Sequence, residues 1–208
     1  MIMYSTISEE EYNILLKKGH LECNPNLAEF PADSKEIQIA YKYMSDKLRE
    51  RYPSNLVYPR WAWTLWEGES VEKQPDVFFA SRPNTTYFRL KLEISDYLLS
   101  DFDAWHSCLN LMPMVYTEEE WDEFFYWLEI AHLFHSDIFF REDVYSLYLR
   151  NKVIQSWDKI FDLSAKSDFA LPKEKSIQAV FWSIKKENIL EAKKICVDEK
   201  TYNDYYSF

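Results

Sequence analysis

The alternation of apolar and polar positions is clearest between Thr86 and Ile94. Phe88, Leu90 and Leu92 fall on one side of this segment, and the charged residues between them fall on the other. A period of two is typical of a β-strand with one buried face. Similar runs, shorter or rich in β-branched and aromatic residues, predict further strands at Ile2–Ile7, Leu21–Cys23, Tyr58–Trp66, Ile177–Ile184 and Leu190–Val197.

Helical spacing replaces this alternation in other parts of the chain. Ile37, Tyr41, Met44 and Leu48 recur at the interval of one face of an amphipathic helix, which predicts a helix from Ser34 to about residue 51. Ser or Thr followed three residues later by Glu, the spacing of a capping box, opens two more helices, at Ser8–Glu11 and Thr117–Glu120. Shorter stretches predict helices at 101–110 and 142–161, and a loop containing Pro25 and Pro31.

The order of these elements predicts an α+β fold. Strands lie at both ends and in the middle, and a helical block covers about residues 117–161. We find no linker rich in glycine or serine, so residues 1–208 are expected to form a single domain. The expected architecture is a small mixed or antiparallel sheet with a helical insertion.

Composition excludes several classes of protein. Glycine occurs only at Gly19 and Gly68, so neither a GxGxxG loop nor a P-loop can be written. The formal net charge of −11 does not favour binding to duplex nucleic acid, which requires a basic surface. The acidic residues are interspersed with Lys and Arg, which does not favour a mimic of nucleic acid either.

Cysteine usage and hydropathy favour a cytoplasmic protein. The three cysteines, Cys23, Cys108 and Cys196, are an odd number without CxxC spacing, an unusual pattern for a secreted protein. The first residues lack the basic and long apolar regions of a signal peptide. No run approaches the roughly 18 apolar residues of a membrane span, so we expect no membrane association.

A polar cluster follows the Thr86–Ile94 strand. Asp101, Asp103 and His106 lie within a few positions of one another, and such groups can perform acid–base catalysis or hold a ribose. Alternatively, Ser100 or Asp101 caps a short helix whose Trp105 packs in the core.

The segment around Arg60 combines a cation with indoles. Arg60 can bind a phosphate while Trp61 or Trp63 stacks on a base or nicotinamide ring. The alternative is an ordinary core strand with Arg60 at its edge. His132 and His135 have a spacing that metal ligands sometimes use, but their neighbours are apolar, and we predict no metal site.

Several of these segments resemble an uncharacterised bacterial family catalogued as domain of unknown function 3841. The similarity includes the opening strand with SEEEY and KKGHL after it, and it spans nearly the whole chain in order. No established activity accompanies it. The other matching segments are Tyr58–Trp63 (YPRWAW), Trp66–Gly68 (WEG), Leu98–His106 (LLSDFDAWH), Leu109–Asn110, Ser156–Leu163 (SWDKIFDL) and Glu174–Trp182 (EKSIQAVFW).

A more distant likeness is to the ADP-ribosyltransferase-like fold. Met3–Ile7, Glu9–Lys18 and Gly19–Leu21 resemble its opening strand, helix and glycine, and the strands after Ile177 resemble its closing pair. The resemblance implies an NAD cleft. Active members carry a His or Arg on the first strand and a Glu near the last catalytic strand. This chain has Ser5 and Thr6 in the first place and Gln178 in the second, which lacks the negative charge.

Two hypotheses therefore remain open. In the first, the chain is a nucleotide-handling domain with NAD as candidate ligand and, if it is an enzyme, an ADP-ribosyltransferase-like transferase. Its catalytic candidates are then Gln178, Asp101 and His106, and its substrate-binding candidates are Thr6, Arg60, Trp61, Trp63 and Asp103. In the second, the chain is a non-enzymatic acidic protein-interaction module, such as a bacterial or phage-encoded modulator, since Tyr and Trp favour interfaces. The first hypothesis requires Arg60 and Gln178 to open into one cleft.

Overall fold

A computed structural model describes residues 1–24, 34–167, 169 and 171–207. It is a mixed α+β fold in one domain, as the sequence predicts. The helices are α1 (Glu9–Lys18), α2 (Lys35–Arg51), α3 (Phe102–Leu109), α4 (Glu118–Ala131), α5 (Val144–Ser156) and α6 (Glu199–Tyr206). The strands are β1 (Ile2–Ser8), β2 (His20–Glu22), β3 (Arg60–Trp66), β4 (Glu69–Ser70), β5 (Thr86–Glu93), β6 (Leu98–Asp101), β7 (Ile177–Phe181), β8 (Ser183–Lys185) and β9 (Ile189–Cys196).

Side-chain caps define where the helices begin. The Ser8 hydroxyl accepts a hydrogen bond from the Glu11 amide, and the Glu11 carboxylate accepts one from the Ser8 amide, which completes the expected capping box. Gly19 ends α1 in the left-handed conformation, at φ 79°. At α4 the Thr117 hydroxyl accepts from the Glu120 amide, as expected.

The main sheet has seven strands and is antiparallel throughout. Its order is β6-β7-β3-β1-β5-β9, with β4 paired to β3, while β2 and β8 form a separate two-stranded sheet. The predicted strand Ile177–Ile184 is thus divided at Trp182 between the two sheets. The predicted loop through Pro25 and Pro31 lies outside the described residues.

The sheet separates two sides of the core. Met3, Ala62, Leu90 and Ala179 pack with Leu15 of α1, and we call this side the α1 face. On the other side Trp61 and Trp63 contact Trp105 and Phe102 of α3, so we call it the α3 face. Part of the α3 face is covered by α2, α3 and the helical block together. The fully buried side chains of their shared core include Met44, Leu48, Cys108, Leu111, Ile138, Val153, Trp157 and Ile160. The rest is covered by a cluster that contains Tyr4, Val71, Phe79, Tyr87 and Ile195.

Candidate functional site

Asp101 connects the end of β6 to the start of α3. Its Oδ1 accepts hydrogen bonds from the amides of Asp103 at 3.0 Å and Ala104 at 3.2 Å, which satisfies donors at the helix start. Its Oδ2 lies 3.0 Å from Nζ of Lys175, in an ion pair that is largely withdrawn from solvent. Trp105 packs in the core. The helix-cap alternative therefore describes the local structure of Asp101.

Asp103 and His106 occupy the next turns of α3. Burial raises the pKa of the Asp103 carboxyl, and the negative charge of Asp101 raises it further, while His106 acts in the opposite direction. His106 is exposed, and its Nδ1 lies 3.0 Å from the Phe102 carbonyl oxygen. When Nδ1 donates to that oxygen, Nε2 is the acceptor nitrogen. The Asp103 carboxyl group and the His106 imidazole therefore lie close together at the start of α3.

The turn between β3 and β4 forms one wall of this region. Glu67 and Gly68 have φ angles of 49° and 77°, positive at both positions as in a type I′ hairpin. The Gly68 amide donates to the Lys175 carbonyl at 2.9 Å, and a Cβ at Gly68 would lie 2.6 Å from Oε2 of Glu174. We call the group formed by Glu67, Asp101, Asp103, His106, Glu174 and Lys175 the acidic corner.

The tryptophans of β3 contact other aromatic rings of the protein. The Trp61 ring centroid lies 5.2 Å from that of Trp105 and 6.0 Å from that of Tyr41. Trp63 lies 4.8 Å from Phe102, and also contacts Trp66 and Phe78. These contacts agree with the alternative in which the segment around Arg60 is an ordinary core strand.

Gln178 and Thr6 share the α3 face with these tryptophans. Trp63 is the registered partner of both Gln178 on β7 and Tyr4 on β1. Paired residues of an antiparallel sheet point to the same face, and Thr6 follows Tyr4 by two positions. Gln178 is only 8% exposed. Thr6, Trp63 and Gln178 therefore share the α3 face, and Gln178 is buried there.

Arg60 lies on the opposite face of the sheet. It pairs with Phe181, whereas Trp63 pairs with Gln178, and an odd separation along each strand reverses the face. Its Nη1 lies 3.0 Å from Glu11 Oε1 and donates to the Glu22 carbonyl oxygen at 3.1 Å. The expectation that Arg60 and Gln178 open into one cleft is therefore wrong.

A further cleft lies away from all the residues nominated from the sequence. It has a volume of about 820 Å³ and runs between the end of α2, the turn before β6 and the segment after α5. Lys47 and Asp158 form an ion pair of 2.6 Å at its edge, and Tyr43 donates to the same carboxylate at 2.7 Å. Of the charged residues that line this cleft, Lys47 and Asp158 are thus paired with each other.

A surface that the sequence reasoning missed lies on α4, α5 and the connection between them. Val144 is 80% exposed and Phe134 76%, although both are large and apolar. We call this set the exposed aromatic surface; its members are Phe125, Tyr126, Trp127, Ile130, Phe134, Phe140, Val144, Tyr145, Leu147 and Tyr148. The signal was present in the sequence, because the consecutive Phe124–Trp127 aromatics cannot all point to one side of a helix.

A groove between α4 and α5 adjoins this surface. It has a volume of about 160 Å³, and Trp127 and Tyr148, which are 41% and 52% exposed, belong to its lining. The buried side chains Phe124, Leu149 and Val153 form its apolar part. Trp127 and Tyr148 therefore combine solvent exposure with direct access to an apolar pocket.

Charge on α4 has a single sign. The helix has no basic residue. Its acidic residues are Glu118, Glu119, Glu120, Asp122, Glu123 and Glu129. In the part of the chain that the structure describes, Glu120 is the one among them with an ion pair, to Lys159 at 2.7 Å. The α4 part of the exposed aromatic surface is therefore accompanied by unneutralised negative charge.

Among the described residues, no group of three or more His, Cys, Asp or Glu is arranged to hold a metal ion. His132 caps the end of α4 in the left-handed conformation, at φ 52°. No described helix has both the length and the apolar character that a membrane crossing requires.

Comparison with known proteins gives a family match. No curated protein and no solved structure matches the chain, so the likeness to the ADP-ribosyltransferase-like fold stays a prediction. A family model described as Domain of unknown function (DUF3841) matches residues 2–190 of the 208-residue chain. Because this match covers far more than half of its length, the chain belongs to that family.

Proposed function

We propose that this protein is a protein-interaction module that binds its partner through the exposed aromatic surface. The observation that carries the proposal is the concentration of large apolar side chains in solvent on α4, α5 and their connection. Single exposed apolar residues are common on soluble proteins, whereas many of them on two helices that share a groove favour an interaction site. Tyr, Trp and Phe are also the residue types that interfaces favour.

The scaffold beneath this surface is well packed. Ile138 is fully buried in the connection between α4 and α5, and Phe139 stacks on Trp157 with ring centroids 5.7 Å apart. The Arg150 guanidinium donates to the Ile138 carbonyl at 3.0 Å and to the Arg141 carbonyl at 2.6 Å. The exposed side chains are thus held by an ordered segment, which reduces the entropy lost on binding.

Site-specific photo-crosslinking in the cells that produce the protein tests this proposal. A photoreactive phenylalanine analogue replaces Phe134 or Tyr145 in the exposed aromatic surface, and Leu190 of β9 in a control. Leu190 is 53% exposed and lies outside that surface. We expect one protein species to crosslink from positions 134 and 145 but not from position 190.

Partner retention provides the second measurement. The same species should co-purify with the wild-type protein in a fixed ratio, and Trp127→Ala together with Tyr148→Ala should abolish this. Leu190→Ala should retain the partner. Crosslinks that appear equally from all three positions, or co-purification that survives the double substitution, would contradict the proposal.

Nucleotide binding at the acidic corner is a second candidate function. The observation that favours it is the position of Asp101, Asp103 and His106 together at the start of α3, next to the Lys175 ammonium. The location of Arg60 on the other face removes it from this candidate. NAD and ADP-ribose at millimolar concentration should then raise the melting temperature, and Asp103→Asn with His106→Gln should remove the increase. An unchanged melting temperature would reject this candidate and leave the first unaffected.

A further inference from the structure

The groove between α4 and α5 has the size and lining of a pocket for one side chain. Its volume of about 160 Å³ is similar to that of an apolar cavity able to hold a benzene-sized group. Phe124, Leu149 and Val153 are buried in its lining, and Trp127 and Tyr148 are partly exposed there. One aromatic or branched aliphatic side chain of a partner is therefore the natural occupant.

Charged groups around the groove determine what can flank that side chain. Lys159 is engaged by Glu120 at 2.7 Å and lies over the Tyr116 ring at 4.6 Å from its centroid. Glu123 and Lys152 also line the groove; among the described residues Glu123 has no ion pair, and Lys152 Nζ lies over the Tyr148 ring at 5.8 Å from its centroid. Lys152 and Lys159 thus match Glu120 and Glu123 within the lining, but α4 adds Glu118, Glu119, Asp122 and Glu129 without any base. The potential along this helix is therefore negative and favours a cationic partner.

The same charge argues against a second copy of this chain. A twofold dimer through α4 would place its acids against the identical acids of the other copy. Like charges brought together across an interface oppose association. The whole chain also has a net charge of −11, which adds long-range repulsion at low salt.

We infer that the exposed aromatic surface binds a basic amphipathic helix of another protein. One large apolar side chain of that helix enters the groove between Trp127 and Tyr148, and its Lys or Arg residues lie against the acids of α4. This is the helix-in-groove mode of recognition. The inference rests on the proposed function and specifies the chemistry of the partner.

Three synthetic peptides test the inference. The first is a helix of about 18 residues, long enough to be partly helical in water, with Leu and Trp on one face and Lys and Arg on the other. The second keeps the apolar face and replaces every cation by Glu. The third keeps the cations and replaces the apolar face by Ser and Gln. Fluorescence anisotropy of labelled peptide gives the dissociation constant for each.

We expect the first peptide to bind at least about tenfold more tightly than either of the others. Trp127→Ala and Tyr148→Ala should each weaken the first peptide by about tenfold. Glu123→Gln combined with Asp122→Asn should weaken it and reduce its dependence on salt. Leu190→Ala and Glu187→Gln, at exposed positions outside this surface, are the matched controls and should change nothing. Thermal melting of each variant verifies that it is folded.

The possible outcomes separate this inference from the proposed function. Equal or tighter binding of the acidic peptide would overturn the inference about charge, whereas crosslinking from positions 134 and 145 would still support an interaction module. Binding of the third peptide as tightly as the first would also overturn it, because charge alone would then suffice. Failure of the first peptide to bind wild-type protein at millimolar concentration would overturn it outright.

Discussion

Trp127 of α4 and Tyr148 of α5 line the same groove, and each leaves about half of its surface in solvent. Trp157, in the same helical block, is instead a core residue: it is fully buried and its Nε1 donates to the Met112 carbonyl at 2.7 Å. The two tryptophans therefore differ in what a substitution removes. Trp157 contributes to stability, and Trp127 is available to a partner.

This difference predicts opposite effects on folding. Trp157→Ala should lower the free energy of unfolding by about 3–5 kcal/mol, as expected for a large aromatic removed from a packed core. Trp127→Ala should lower it by less than about 1 kcal/mol, because much of the indole is already hydrated. Urea denaturation followed by far-UV circular dichroism measures both. A loss for Trp127→Ala equal to that for Trp157→Ala would mean that Trp127 is mainly structural.

The ion pair between Asp101 and Lys175 predicts a strong dependence of stability on both partners. Asp101→Asn should cost about 3–5 kcal/mol, since it leaves the Lys175 ammonium in a poorly hydrated site without its counter-charge. Adding Lys175→Met should recover part of that loss, because the unpaired charge is then removed. A double-mutant cycle in urea gives the coupling, and strictly additive losses would contradict a direct pair.

Arg60 is predicted to stabilise the folded protein through its ion pair with Glu11. Arg60→Ala leaves a largely buried carboxylate, so we expect a loss of about 3 kcal/mol in the free energy of unfolding. Glu11→Gln is the companion variant, because it removes the charge but keeps an oxygen that can accept from the Ser8 amide. In the Glu11→Gln background, Arg60→Ala should cost less than in the wild type. Equal costs in the two backgrounds would exclude coupling.

Asp103 should titrate above the ordinary aspartate range. Burial and Asp101 raise its pKa in the folded protein, so the folded state holds this proton more tightly than the unfolded state does. The resulting contribution to stability is fully present at acidic pH, below the unfolded pKa, and is lost as pH rises through the folded pKa. A carboxyl ¹³C NMR titration measures the midpoint, which His106→Gln should raise further. A midpoint at or below the ordinary aspartate value would contradict the effect of burial.

Much of the fold could be predicted because each strand and helix shows its own periodicity. The alternation in Thr86–Ile94 and the caps at Ser8 and Thr117 identify elements that the structure contains. The strand β6 was missed because Leu98–Asp101 is too short for an alternation to develop, and α6 was missed because Glu199–Tyr206 has no buried residue.

The arrangement of the site was harder to predict from the sequence, because it depends on how the strands pair with one another. Local alternation separates Arg60 from Trp61 within β3 but does not give the register that pairs Arg60 with Phe181 and Trp63 with Gln178. The exposure of Tyr126 and Trp127 depends on which face of α4 meets α5, and hydrophobicity alone assigns such residues to a core.

The central proposal can be tested at the indole N–H group of Trp127, one of the eight tryptophans of the chain. The indole N–H resonance of Trp127 can be assigned in a ¹H–¹⁵N spectrum by its loss in Trp127→Phe. We predict that the basic amphipathic peptide shifts this resonance in a saturable manner, while those of Trp157 and Trp182, which donate to backbone carbonyls at 2.7 Å, stay in place. A Trp127 resonance that does not move at saturating peptide, while other resonances shift, would contradict binding at the exposed aromatic surface.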